Sequence, residues 1–144
     1  MILRRAGAGD LVTLEREAAP DHFARTPGVP RPDPDKLRAW LAAVLESRLV
    51  IIAERGGVYL GSMALDLFAA PWSFELVATD LWLHARADRP SAAARELVRF
   101  ARQWARARGA VLYVTDRGGP QTAARQRLWG SLGGECAGGI WRFA

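Results

Sequence analysis

No stretch of this 144-residue chain constrains its fold as much as Ala78 to Ala110, ATDLWLHARADRPSAAARELVRFARQWARARGA. Leu81 and Leu83 alternate with Asp80, Trp82 and His84, the period-two pattern of a strand with one face in the core. Beyond a tight basic turn, Leu97, Val98, Ala101, Trp104 and Ala105 fall on one face of a helix. Arg95, Arg99, Arg102 and Arg106 fall on the other. Gly109 stands where a left-handed residue closes a helix, and Val111 to Thr115 begins another strand. Strand, turn, helix and strand in that order make a βαβ-like unit. The N-terminus of its helix is a ready anion site, because first-turn N–H groups have no partner inside the helix.

The chain length suits a single domain, residues 1–144, with a core of its own. Half of its residues are hydrophobic, yet no apolar run approaches the ~20 residues of a membrane span. The opening MILRRAGAGD has no apolar signal core, and Cys136 is the single cysteine, which excludes an internal disulfide. A cytoplasmic, reducing setting is expected, with Cys136 a small filler beside glycines. The formal charge is +5, and Lys36 is the only lysine among 20 basic residues. That balance suits a phosphate-bearing ligand, nucleic acid or an acidic protein surface met by the arginine face.

Taken in order, Ile2 to Arg5 reads as a strand and Leu11 to Ala19 as a helix with Asp10 as N-cap. Leu11, Leu14 and Ala18 face inward. Residues Pro20 to Pro34 hold five of the eight prolines and read as a loop. Asp35 to Ser47 is a second helix, with Leu37, Trp40, Leu41, Val44 and Leu45 at core spacing. Leu49 to Glu54 and Val58 to Leu67 form a hairpin around Arg55-Gly56-Gly57. A break at Pro71 precedes a central strand from Phe74 to His84. The end of the chain reads as a loop from Asp116 to Pro120, a helix from Gln121 to Leu132 and a last hairpin split by Gly138-Gly139. Trp40 and Trp104 sit on expected core faces, and most of the six tryptophans read as packing.

On these residues the chain resembles the GNAT acetyltransferases. Their acyl-CoA turn, Arg/Gln-x-x-Gly-x-Gly/Ala, follows a central strand. Arg89-Pro90-Ser91-Ala92-Ala93-Ala94 fits that spacing with alanine in both glycine places. The stretch SAAARELVRFARQWARARGA is also similar to short acetyltransferase-like proteins of bacteria and phages, whose turn reads Arg-Gly-Gly-Ser-Ala-Ala-Ala-Arg. In that register Arg89-Pro90 stand where Gly-Gly is expected, so the position of the signature arginine stays open. The hairpin IAERGGVYLGSMAL is similar to the family's xAExxGxxVGxxxL, with Gly61 as its second glycine. Proline removes a backbone donor from the turn, and as a first helical residue it starts the cradle one residue later.

The resemblance implies an α/β GNAT-like domain with a mixed, mostly antiparallel, splayed sheet and helices on both faces. Its expected order is β-α-α-β-β-β-α-β-α-β. It implies a CoA-dependent N-acyltransferase that moves an acetyl group from acetyl-CoA to a small-molecule or protein amine. Leu83, Arg89, Ser91, Ala92, Ala93, Ala94 and Arg95 would hold the cofactor. Asp21, His22 and Phe23 would border the acceptor. A base must take the ammonium proton, and Asp80, Glu75 and His84 are the candidates on the central strand. Strand alternation puts Asp80, Trp82 and His84 on one face and Glu75 on the other unless a bulge intervenes. The family's leaving-group acid is a tyrosine in Leu-Tyr-x-x-Leu-Gly-Phe. Here that motif is matched by Leu128-Trp129-Gly130-Ser131-Leu132-Gly133-Gly134, and an indole N–H cannot serve as that acid. No metal-ligand spacing and no Gly-Lys-Ser phosphate loop is present. The alternative is a catalytically inactive GNAT-fold protein acting as a structural or interaction subunit, for example of a phage-like particle. A homodimer or a place in a larger assembly is the expected association.

Overall fold

A computed structural model describes residues 1–24, 30–86, 90–115, 122–137 and 140–143. Its strands are β1 (Ile2–Arg5), β2 (Leu49–Arg55), β3 (Val58–Ala69), β4 (Leu76–Ala85), β5 (Ala110–Thr115), β6 (Glu135–Ala137) and β7 (Ile140–Phe143). Its helices are α1 (Leu11–Thr13), α2 (Ala19–Ala24), α3 (Pro34–Ser47), α4 (Pro90–Arg106) and α5 (Thr122–Ser131). The strands join one sheet in the order β1-β2-β3-β4-β5-β7-β6. Among the described residues β4·β5 is the only parallel pair; every other neighbour runs antiparallel. The expected α/β class, element order and helices on both faces are all present, with the terminal hairpin adding β6 before β7. No helix among the described residues is long and apolar enough to cross a membrane.

Each face of the sheet carries its own core. On one side Ala93, Ala94, Leu97, Val98, Ala101 and Ala105 of α4, with Trp129 of α5, cover Ile51, Met63, Leu65, Ala78, Leu112 and Val114. Alanines at four helical positions let α4 lie close to the strands, as small side chains require. On the other side Leu14 and Ala18, with Leu41, Val44 and Leu45 of α3, cover Val50, Ile52, Ala64 and Trp82. β4 is covered on both faces, and its Asp80, Trp82 and His84 are more buried than Leu81 and Leu83, the reverse of the expectation from period two alone.

Local sequence explains most boundaries. Asp33 caps α3, its Oδ1 accepting from the Lys36 N–H at 3.0 Å, with Pro34 as first helical residue. Gly56 and Gly57 both take positive φ, which fixes the tight β2–β3 turn. Two expectations at the N-terminus are corrected. Asp10 does not cap α1 with its side chain. Instead it accepts from the Gly7 N–H at 2.9 Å and pairs with Arg4 at 2.7 Å.

The first helix also does not stop at Pro20. Five residues, Leu14–Ala18, take a π turn, and α2 then carries the chain on through Pro20 to Ala24. The Ala19 N–H bonds to the Leu14 carbonyl, five residues back. That wider turn shifts the ladder just before the residue that has no N–H to give, so proline is tolerated.

Candidate functional site

The site is built where β4 and β5 part. Their ladder runs from Leu76↔Ala110 to Thr79↔Tyr113 and then stops, although β4 continues to Ala85 and β5 to Thr115. The cause lies on the other edge of β4. There the register slips, with Leu65 opposite Asp80 and Ala64 opposite Trp82, so Leu81 is an extra residue. A bulge of this kind bends its strand and re-aims the side chains beyond it.

This bulge overturns the expected common face of Asp80, Trp82 and His84. Asp80 shares a face with Leu65 and Ala78, toward α4, while Trp82 and His84 share the opposite face with Ala64 and Ser62. Glu75 drops out of the strand altogether. It is exposed in the turn before β4, its N–H on Ser73 Oγ and its carbonyl accepting from Ala70.

Asp80 is only 6% exposed. Its Oδ1 accepts from the Thr115 N–H at 2.8 Å, and the Thr115 hydroxyl reaches Oδ1 at 2.9 Å and Oδ2 at 3.1 Å. The carboxylate thus spans the gap between the diverging strands. On the opposite face, the Trp82 indole N–H donates to Ser62 Oγ at 3.0 Å. Tyr59 Oη lies 2.8 Å from Ser62 Oγ and 2.9 Å from His84 Nδ1. The Tyr59 and His84 rings stack, with centroids 5.8 Å apart. Ser62, Tyr59 and His84 are all buried, so these bonds lock the imidazole in one orientation. Tyr59 and Ser62 drew no notice in the sequence; a second slip, on the β2 edge of β3, sets Glu54 opposite Tyr59 and Ala53 opposite Gly61, and that extra residue brings Tyr59 onto the face that Ser62 shares with His84.

Next in the chain after β4 comes α4, which begins at Pro90. Ala92 is exposed, and Ala93 and Ala94 are buried against the sheet, so these two can offer a ligand only their backbone. Arg95 is half-buried, as is Leu83. Arg89 lies outside the described residues, as do the side chains of Asp21 and Ser91. The arginine stripe does not stay together as one solvent face. Arg99 is exposed and pairs with Glu96 at 2.8 Å, whereas Arg102 donates to the Leu132 carbonyl at 3.1 Å, just beyond α5.

His22 and Phe23 lie on α2, not on a loop. With Trp40, Leu41 and Trp82 they line a small groove on the face away from α4. Trp40 is 41% exposed, so its expected core position is corrected: it packs against Trp82 at 5.6 Å at the groove's edge. Trp129, at the family's tyrosine position, is 2% exposed, and its indole N–H has no hydrogen-bond partner among the described residues. Cys136 is exposed and fills nothing. No cluster of His, Cys, Asp or Glu among the described residues could hold a metal ion.

A mostly antiparallel sheet splayed at its parallel pair, with helices on both sides, has the GNAT fold. The sequence matches no family model and no curated protein sequence. Solved structures do match. The structure of a ribosomal-protein-alanine N-acetyltransferase from Brucella melitensis is 23% identical, covers 99% of this chain and 97% of its own, and superposes with a TM-score of 0.72. A protein from Desulfovibrio desulfuricans assigned to the GNAT family is 15% identical over 99% and 97%, at 0.70. An aminoglycoside acetyltransferase from an uncultured soil metagenomic sample is 18% identical over 94% and 92%, at 0.69. At these identities the likeness is one of fold.

Proposed function

We propose that this protein is a CoA-dependent N-acyltransferase that moves an acetyl group from acetyl-CoA to an amine. The observation that carries the reading is the β4·β5 pair, which diverges after Thr79 and Tyr113 with α4 starting just past the end of β4. The opening offers a slot for an extended thioester arm. The helix start offers outward N–H groups and a positive dipole end for its phosphates. Ser91, Ala92, Ala93 and Ala94 supply that backbone, and their short side chains fit a close approach by pyrophosphate. Arg95, or Arg89 in the other register, supplies the charge.

The reaction forms a C–N bond and breaks a C–S bond, so an amine proton must leave and the thiolate must gain one. Of the candidate bases, Glu75 is in a surface turn and Asp80 is engaged with Thr115. His84, oriented through Nδ1 by Tyr59, is the proton acceptor in this reading. The acceptor amine approaches on the α2 side, beside His22, Phe23 and Asp21. The structural neighbours act on acceptors as different as a ribosomal-protein alanine and an aminoglycoside, so the acceptor is defined no further than an amine. Titration calorimetry with acetyl-CoA tests the reading: binding in the micromolar range supports it, and a flat trace at millimolar ligand overturns it. His84→Gln is expected to lower kcat by about a hundredfold or more, the usual worth of a general base, with acetyl-CoA affinity unchanged.

One observation favours a second reading, a non-catalytic protein that keeps the CoA cleft. Trp129 is packed into the core where the family's acid stands. A gain of turnover in Trp129→Tyr would show that the acid alone is missing. A particle-subunit role has no support in the neighbours.

A further inference from the structure

We infer that Asp80 is a spacer that holds β4 and β5 apart at the point where the cleft begins, a positioning residue and not the base of the reaction. The inference rests on the acyltransferase reading for its meaning but on geometry for its evidence. In a regular ladder the Thr115 N–H would find a main-chain carbonyl of β4, and the strands would lie about 4.8 Å apart. Here a side-chain oxygen takes the carbonyl's place at 2.8 Å, so the length of an aspartate side chain is interposed between the two backbones. The Thr115 hydroxyl bonds to both carboxylate oxygens, which fixes the carboxylate's rotation as well as its reach. The Leu81 bulge follows at once, swinging the rest of β4 onto a new face. Spacer and bulge together open the sheet: one sets the gap, the other keeps it from closing.

A base and a spacer respond differently to the same substitutions. Asparagine keeps an amide oxygen for the Thr115 N–H and nearly the same length, but cannot take a proton. Alanine loses both. A spacer requires that Asp80→Asn stay within about fivefold of wild type in kcat and in acetyl-CoA affinity, while Asp80→Ala weakens affinity by about tenfold or more, the scale of a lost charged hydrogen bond. A base requires the opposite: Asp80→Asn would drop kcat by about a hundredfold with affinity intact, and that result overturns the inference.

Wild-type affinity in Asp80→Ala overturns it too. Should Asp80→Ala not fold, Thr115→Val carries the test, because it keeps the N–H and removes the hydroxyl's two contacts; affinity weakened between the Asn and Ala values supports the spacer, and no change counts against it. Amide exchange at Thr115 separates this inference from the reading beneath it. In a protein that binds no acetyl-CoA the function falls, yet faster exchange at Thr115 in Asp80→Ala than in wild type still supports the spacer, and equal exchange overturns it.

Discussion

A methyl group at Gly134 would lie 2.7 and 2.8 Å from two atoms of the Phe143 ring, closer than real carbon contacts allow. The family's motif has phenylalanine at this position; here the ring arrives instead from β7, and glycine makes room for it. Gly61 is tighter still: a Cβ there would sit 2.6 Å from the His84 carbonyl oxygen. A ring can tilt, but a backbone carbonyl paired in a sheet cannot. Gly61→Ala is therefore expected to cost more than Gly134→Ala, whose overpacking should run to about 1–3 kcal/mol. Chemical denaturation midpoints compare the two directly. At the opposite edge, Arg4 holds the Asp10 carboxyl below its ordinary range, mainly by hydrogen bonding. A carboxylate depressed in the folded state stabilises above its unfolded value, near pH 4, and loses that contribution as pH falls through the lower, folded value. Arg4 is 40% exposed, so solvent screening keeps the pair to roughly 0.5–1 kcal/mol. Melting temperatures of Asp10→Asn should lie slightly below wild type at neutral pH and converge with it in acid.

Among the elements, α5 depends on a neighbour for its C-terminal end. The Arg102 guanidinium on the Leu132 carbonyl sets a cation at the negative end of that helix, an arrangement worth about 0.5–2 kcal/mol. Arg102→Ala should lower stability by that amount and speed amide exchange in the last turn of α5. Arg106→Ala, at the exposed end of α4, should do neither. Element type was readable where one segment decides it alone. The period of α4 and the two glycines of the β2–β3 turn both act locally. What escaped notice is what two segments decide together. The slip at Leu81 depends on how β3 pairs with β4, so no pattern within β4 could have separated Asp80 from His84. The helix crosses Pro20 because of a π turn upstream, and proline rules applied residue by residue place a boundary there. Trp40 has helical spacing like its core neighbours, yet the groove beside α2 leaves it half uncovered.

At the scale of the molecule, the parallel pair is a much shorter link than the β2–β3 and β3–β4 pairs beside it. β3 and β4 pair from Gly61 to Ala69, but β4 and β5 only from Leu76 to Thr79. On one side stand β1 to β4 with α1 to α3; on the other stand β5 to β7 with α5. Helix α4 packs across β2, β3, β4 and β5 and so ties the two together. Native-state amide exchange should find β5 to β7 opening at lower free energy than β2 to β4, as a unit with few cross-links to the rest must. The molecule is then a book with two leaves of unequal thickness, sewn over a few residues, with α4 as the cloth along its spine. Whatever lies between the leaves also binds them, so a cleft ligand should slow exchange throughout the thinner leaf, far beyond the residues it touches.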